Sequence, residues 1–290
     1  MKQSNIRIAT SCGHVNVIHF PSVKFSNKSI LCIHGSYCDA RIFNYIASRL
    51  SENGFNVYSM DLLGHGKSDG PKGDPNFDDC LTSINEVIKE LRGSSQMFIL
   101  GHSLGCTFAL WYAHNFKNSI NGVIVMAPYV RIRSLKKRSI VEPSLLYLSY
   151  LFLRKMLTPN RLVKLTDILP RLIVTGGEEM NQLLQDKDLN FYYSYRYIID
   201  VIALRNSKIS ELADIDVPII ILHGKNDLLV FSEVSKAFFK EINNKQKKIK
   251  LFDCDHWFYD AVFYNQFSTK YSEESRKQIT RTIIEWIDNK

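Results

Sequence analysis

Nothing in this chain of 290 residues stays apolar long enough to cross a bilayer. The most apolar stretch, SLLYLSYLFL at 144–153, gives way to Arg154 and Lys155, whereas a spanning helix needs about 20 such residues. The opening segment, MKQSNIRIATSCGHVNVIHF, lacks a basic region followed by an apolar one, so no export signal is expected. No low-complexity tract and no internal repeat interrupts the pattern. The six cysteines (Cys12, Cys32, Cys38, Cys80, Cys106 and Cys254) include no C-x-x-C pair and lie mostly inside apolar runs. Such cysteines behave as small buried hydrophobes, which argues against a disulfide framework or a zinc site. The expectation is a soluble protein in a reducing, cytoplasmic setting.

The formal charge of +8 raises nucleic acid as a partner, but no nucleic-acid motif accompanies it. The cations collect in RIRSLKKR at 131–138 and KQKKIK at 245–250. A solvated basic face accounts for them, and peripheral contact with an anionic membrane surface or a phosphate-bearing substrate is the alternative.

What the chain does have is a 45% apolar composition, ample for a large core, and a legible alternation of elements. VNVIHF (15–20), SILCIHG (29–35), MFILGHS (97–103) and INGVIVMAP (120–128) read as strands, and FNVYSMDLLGHG (55–66) as a strand running into a glycine-bearing loop. Helical spacing fills 40–54, 77–93 and 104–118 between them. The alternation resumes with strands in 217–227 and 247–257, a helix over 232–243, and a closing amphipathic helix from about Ser272 to Asn289. Strands apolar throughout and alternating with helices predict an α/β fold with a mostly parallel sheet covered on both faces. Residues 131–212 have a different character: apolar helical runs and the aromatic cluster Phe191, Tyr192, Tyr193, Tyr195 and Tyr197. We read 1–130 and 213–290 as the core of a single domain and 131–212 as an inserted helical cap.

Ser103 lies in GHSLG, between a strand and a helix. The pattern G-x-S-x-G would arise by accident only about 0.1 times in a chain of this length. A nucleophilic serine also needs a base, a carboxylate to orient it and donors for the oxyanion. Asp227, in IIILHGKNDLLV, lies just past a buried strand, at the edge where parallel sheets gather their sites. His256, in LFDCDHWFYD, follows the last strand, and the order Ser103, Asp227, His256 is that of the strand-turn-helix nucleophile elbow fold. The backbone N–H of Leu104, opening the helix after Ser103, and that of Ser36, after the HG at 34–35, are the candidate oxyanion donors. His102 reads as packing, and His34, His65 and His223 as strand-end or loop residues.

Together these pieces resemble the α/β-hydrolase family, and more narrowly its monoacylglycerol lipase and lysophospholipase-like branch. The resemblance rests on HG at 34–35, DLLGHGKSDGPKGD at 61–74, GHSLG at 101–105, HGKND at 223–227 and DH at 255–256. It implies a Ser103–His256–Asp227 triad, backbone donors at Ser36 and Leu104, and no metal or organic cofactor. The implied substrate is a small-molecule ester with an apolar acyl chain, with Tyr37, Tyr192 and Tyr195 as candidate substrate contacts. Departures from the branch are Cys106 where a glycine is frequent, and a loop HGSYCDARIF without a Glu-His pair. His34 and Asp39 also fit an H-x-x-x-x-D pattern associated with acyl transfer. A thioesterase, a C–C bond hydrolase, a peptidase or an acyltransferase could use the same triad, and a low-turnover ligand sensor is the reading from outside enzymes.

Overall fold

The computed structural model describes residues 3–24, 27–130, 145–168, 181, 184–206, 214–259, 261–262 and 271–290. The basic stretch Arg131 to Arg138 lies outside them. The strands are β1 (Ser4–Thr10), β2 (Gly13–Phe20), β3 (Lys28–Ile33), β4 (Asn56–Met60), β5 (Gln96–His102), β6 (Gly122–Met126), β7 (Leu162–Lys164), β8 (Tyr192–Ser194), β9 (Ile219–Gly224) and β10 (Lys247–Phe252). The helices are α1 (Asn44–Glu52), α2 (Phe77–Arg92), α3 (Leu104–Asn115), α4 (Leu145–Leu157), α5 (Leu165–Ile168), α6 (Tyr195–Asn206), α7 (Ser232–Glu241) and α8 (Glu273–Asp288). A turn of 3₁₀ helix, Ala40–Phe43, precedes α1.

Eight strands form one sheet in the order β1-β2-β4-β3-β5-β6-β9-β10. From β4 to β10 every neighbour is parallel, and β2 alone runs against both β1 and β4. Side chains alternate across the sheet, as a period of two requires. Ile30, Cys32, Phe98, Leu100, Ile220 and Leu222 join the apolar faces of α1 and α8 on one side. Leu31, Ile33, Met97, Ile99, Ile219 and Ile221 meet α2, α3 and α7 on the other. Burial on both faces is why these strands read as unbroken apolar runs. Five of the six thiols are buried: Cys32 in β3, Cys80 in α2, Cys106 in α3, and Cys38 and Cys254 in loops.

Local chemistry sets the helix ends. Asn76 caps α2 by accepting from the N–H groups of Asp78 and Asp79, whose carboxylates suit the helix start, while Lys89 and Arg92 suit its end. Ser272 caps α8 in the same way, accepting from the Ser275 N–H.

The structure corrects several boundaries. β1 precedes the first expected strand; its alternating Ile6 and Ile8 form a half-exposed edge that gives only a short apolar signal. β4 ends at Met60, and the glycine-bearing loop after it turns to wrap Asp61. β10 covers Lys247–Phe252, with His256 in the loop after it, and α3 ends at Asn115 rather than 118. Lys247, Lys248 and Lys250 of KQKKIK belong to β10, an edge strand, where exposed Lys248 and Lys250 discourage pairing with a further chain. Between β6 and β9 the chain forms not helices alone but also the antiparallel pair β7–β8, built from Leu162–Lys164 and Tyr192–Ser194. No helix among the described residues is long and apolar enough to cross a membrane.

Candidate active site

The carboxyl ends of β3, β5, β9 and β10 carry the residues singled out in the sequence, on the edge where parallel sheets bind ligands. Ser103 sits between β5 and α3 at φ 54° and ψ −118°, a left-handed geometry that a residue with a side chain rarely adopts. The turn is held by the Ser103 N–H donating to Met126 O at 2.9 Å and the Cys106 N–H donating to Ser103 O at 3.0 Å. It also depends on missing side chains. A Cβ at Gly105 would collide with the Ile33 carbonyl, and one at Gly101 would lie 2.5 Å from Gly105 O. Cys106 takes part in the same turn, its thiol donating to Gly101 O at 3.1 Å and to Met126 O at 3.2 Å. A small side chain at 106 therefore serves where the branch often has glycine.

Asp227 and His256 are brought together by two adjoining loops. The Lys225 and Asn226 N–H groups donate to Phe252 O and Cys254 O, at 2.8 and 3.0 Å, which lays the loop after β9 along the loop after β10. His256 Nδ1 then donates to Asp227 Oδ2 at 2.7 Å, and both residues are buried. The other carboxylate oxygen accepts from the Leu229 and Val230 N–H groups, each at 2.8 Å. Burial alone would raise the Asp227 pKa, but the His256 charge and hydrogen bonds from His223 and His256 outweigh it. They hold the carboxyl below its ordinary value, so Asp227 is ionised. A carboxylate on Nδ1 leaves the neutral imidazole with a free lone pair on Nε2, the tautomer a general base requires.

The sequence reading passed over two neighbours. His223 Nε2 lies 2.8 Å from Val230 O and 3.2 Å from Asp227 Oδ2, so it carries a proton and braces the acid. Its Nδ1 accepts from Ser235 Oγ at 2.5 Å. The signal was the H-x-x-x-D spacing within HGKND. His102 Nε2 donates to the His256 carbonyl at 3.0 Å, with ring centroids 4.7 Å apart, so the residue before Ser103 anchors the backbone of His256.

On the opposite side, a Cβ at Gly35 would lie 3.0 Å from Ser103 Cβ, which puts the loop after β3 directly against the serine. Among the described residues, neither the Ser36 nor the Leu104 N–H has a hydrogen-bond acceptor within the protein. Tyr37 follows at φ 48°; its N–H donates to the Tyr193 hydroxyl at 2.8 Å and its ring stacks on Phe191. Tyr192 is 51% exposed, and Tyr195 is buried with its hydroxyl 3.5 Å from that of Tyr150. Tyr37 is thus part of the loop against Ser103, whereas Tyr192 and Tyr195 belong to the β8–α6 segment.

His34 and Asp39 do not pair. His34 Nε2 accepts from the Leu62 N–H at 3.1 Å and Nδ1 donates to Gly35 O at 2.8 Å. The Asp39 carboxylate instead grips the Arg41 guanidinium at 2.7 Å. The H-x-x-x-x-D spacing here is structural.

The sheet order and the strand-turn-helix serine define an α/β-hydrolase. A family model described as serine aminopeptidase, S33 (Hydrolase_4) matches residues 26–255, and the chain belongs to this family, in its monoglyceride-lipase-like branch. A monoglyceride lipase homolog of monkeypox virus is 23% identical over 94% of this chain and 93% of its own length. A putative monoglyceride lipase of Schizosaccharomyces pombe is 29% identical over 75% of this chain and 58% of its own. The chain spans only 26% of an uncharacterized abhydrolase domain-containing protein of Dictyostelium discoideum. A soluble variant of the monoglyceride lipase of Saccharomyces cerevisiae, solved with a substrate analog, shares the fold. Its TM-score is 0.80 at 19% identity, covering all of this chain and 96% of that one.

Proposed function

We propose that this protein hydrolyses carboxylic esters of apolar acyl chains through an acyl-enzyme on Ser103. The observation that carries the reading is the 2.7 Å contact of His256 Nδ1 with Asp227, set beside a serine in strained elbow geometry. His256 Nε2 takes the hydroxyl proton as Ser103 Oγ attacks the ester carbonyl. The oxyanion that forms accepts from the Ser36 and Leu104 N–H groups. The intermediate collapses, the C–O bond to the alcohol breaks, and His256 returns its proton to the leaving oxygen. Water then attacks the acyl-enzyme by the same route and releases the acid. No step calls for a metal or organic cofactor.

Residues 131–212 are the cap in this reading, and they choose the substrate. Tyr37 borders the acyl carbonyl, and Tyr192 and Tyr195 meet the chain further out. The outer face of α4 contacts an anionic lipid surface from which such esters are drawn: Phe152, Leu153, Met156 and Leu157 are all more than half exposed beside Arg154 and Lys155.

The test is a p-nitrophenyl ester series from acetate to palmitate, run with the wild type and Ser103→Ala, and with an aminoacyl p-nitroanilide in parallel. Ester turnover that vanishes in Ser103→Ala supports the reading. Turnover of the anilide alone would make the protein a peptidase, and one burst of labelling without turnover would make it a sensor.

A further inference from the structure

Residue 193 reaches the site through its hydroxyl group. Tyr193 is fully buried in β8, its ring stacked on Tyr197 with centroids 5.2 Å apart. Its phenol oxygen accepts the Tyr37 N–H at 2.8 Å. The side chain fills its space through the ring, and the oxygen is the one part that reaches the backbone beside Ser36. That backbone needs holding, because Tyr37 has φ 48°, where its Cβ meets the neighbouring carbonyl oxygen.

The direction of the hydrogen bonds follows from the next group along. His65 Nδ1 donates to Leu63 O at 3.0 Å. Burial lowers the His65 pKa to about 3, so the ring stays neutral and Nε2 remains an acceptor. The Tyr193 hydroxyl, 3.5 Å from Nε2, points its proton there and turns its lone pair toward Tyr37. β8 itself is fastened to the loop after β4: the Ser194 N–H donates to Gly73 O at 2.9 Å, and Ser194 Oγ donates to Asp74.

We propose that Tyr193 is a positioning residue for the oxyanion site: its hydroxyl, supplied by the chain between β6 and β9, fixes the Tyr37 amide and thereby the Ser36 N–H. The proposal rests on the ester-hydrolase reading above. The oxyanion site is then completed by the inserted segment and is not a property of the sheet alone.

Tyr193→Phe keeps the ring and removes the acceptor. With the best p-nitrophenyl ester, kcat should fall about 10- to 100-fold with KM within twofold, a partial form of losing an oxyanion donor outright. Affinity for a trifluoromethyl ketone, which adds Ser103 Oγ to form a tetrahedral oxyanion, should fall by the same factor. Hydrogen exchange at the Tyr37 amide should quicken. A folded Tyr193→Phe with wild-type kcat and ketone affinity, or with a loss confined to KM, overturns the proposal while an inactive Ser103→Ala leaves the hydrolase reading standing. An active Ser103→Ala removes that reading instead. Should Tyr193→Phe not fold, 3,5-difluorotyrosine at 193 preserves the shape with a weaker acceptor oxygen; a kcat lowered several-fold supports the proposal and an unchanged kcat overturns it.

Discussion

His256 Nδ1 and His223 Nε2 converge on one oxygen of Asp227, at 2.7 and 3.2 Å. With two backbone N–H groups on the other oxygen, the buried carboxylate is fully engaged and has one orientation. It therefore sets the imidazole by geometry as well as by charge.

Replacing that acid with an isosteric amide should expose its role. In Asp227→Asn the amide keeps the shape but can present N–H to Nδ1, which favours the wrong imidazole tautomer. We expect kcat to fall roughly 10⁴-fold with the fold retained. Near-full turnover in this variant would assign the orienting acid to another residue.

The two glycines beside Ser103 should fail differently. A Cβ at Gly105 meets the backbone of β3, which cannot yield, so Gly105→Ala should lower stability by about 1–3 kcal/mol or more, with a visible drop in Tm. A Cβ at Gly35 meets the Ser103 side chain at 3.0 Å and the His102 carbonyl at 3.2 Å, displacements of a few tenths of an ångström. Gly35→Ala should therefore retain most of its Tm and lose about 10-fold or more in kcat, since small misplacements at a reacting centre are costly. Equal effects of both variants on Tm would contradict the distinction.

Stability should fall on mild acidification. Burial lowers the pKa of His65 and of His102 to about 3, and shifts His34 in the same direction. In the unfolded chain these groups titrate near their ordinary value of about 6.5. Between these limits the unfolded state binds more protons, so the stabilisation is complete above about pH 6.5 and is lost as pH falls toward 3. His65 and His102 each contribute a slope of about 1.4 kcal/mol per pH unit within this window, and His34 acts in the same direction. Asp227, whose pKa is depressed, adds its own loss only below about pH 4. Urea unfolding at pH 7, 6 and 5 should show the decline, and His102→Gln should reduce its slope by about one proton. A flat profile from pH 7 to 5 would refute the assignment.

The strands that carry Ser103 and Asp227 were legible because both faces are buried and the apolar runs end where the functional loops begin, whereas β10, before His256, shows the lysine–apolar alternation of an edge strand. β1 and the β7–β8 pair were not, since a half-exposed edge and three-residue strands give too little periodicity to separate from loop. The site divides along the same line. Side-chain chemistry at strand ends showed in residue types, while the Tyr193 contact joins a hydroxyl to a backbone amide 156 positions away and leaves no mark on the composition. His223 lay between these cases: its spacing to Asp227 was visible, but its contact depends on how the turn after β9 folds back.

The lipid-surface part of the proposed function makes its own prediction. Met156 is 71% exposed and Phe152 56%, beside a groove of about 500 Å³ that they line with Leu148, Leu153, Ile199 and Ile202. An exposed apolar face of this kind stays in water only at a cost of about 1.5–3 kcal/mol for each large side chain that could be buried. Arg154 beside it would add about 1 kcal/mol on an anionic surface, whereas Lys155 is already paired with Asp200 at 2.5 Å. Phe152→Ser/Met156→Ser should therefore lower partitioning to phosphatidylserine-containing vesicles by about 100-fold in sedimentation. Turnover of p-nitrophenyl acetate, which needs no interface, should stay within twofold. Wild-type protein that binds phosphatidylcholine and phosphatidylserine vesicles equally would remove the electrostatic contribution. Unchanged partitioning of the double variant would move the contact away from α4.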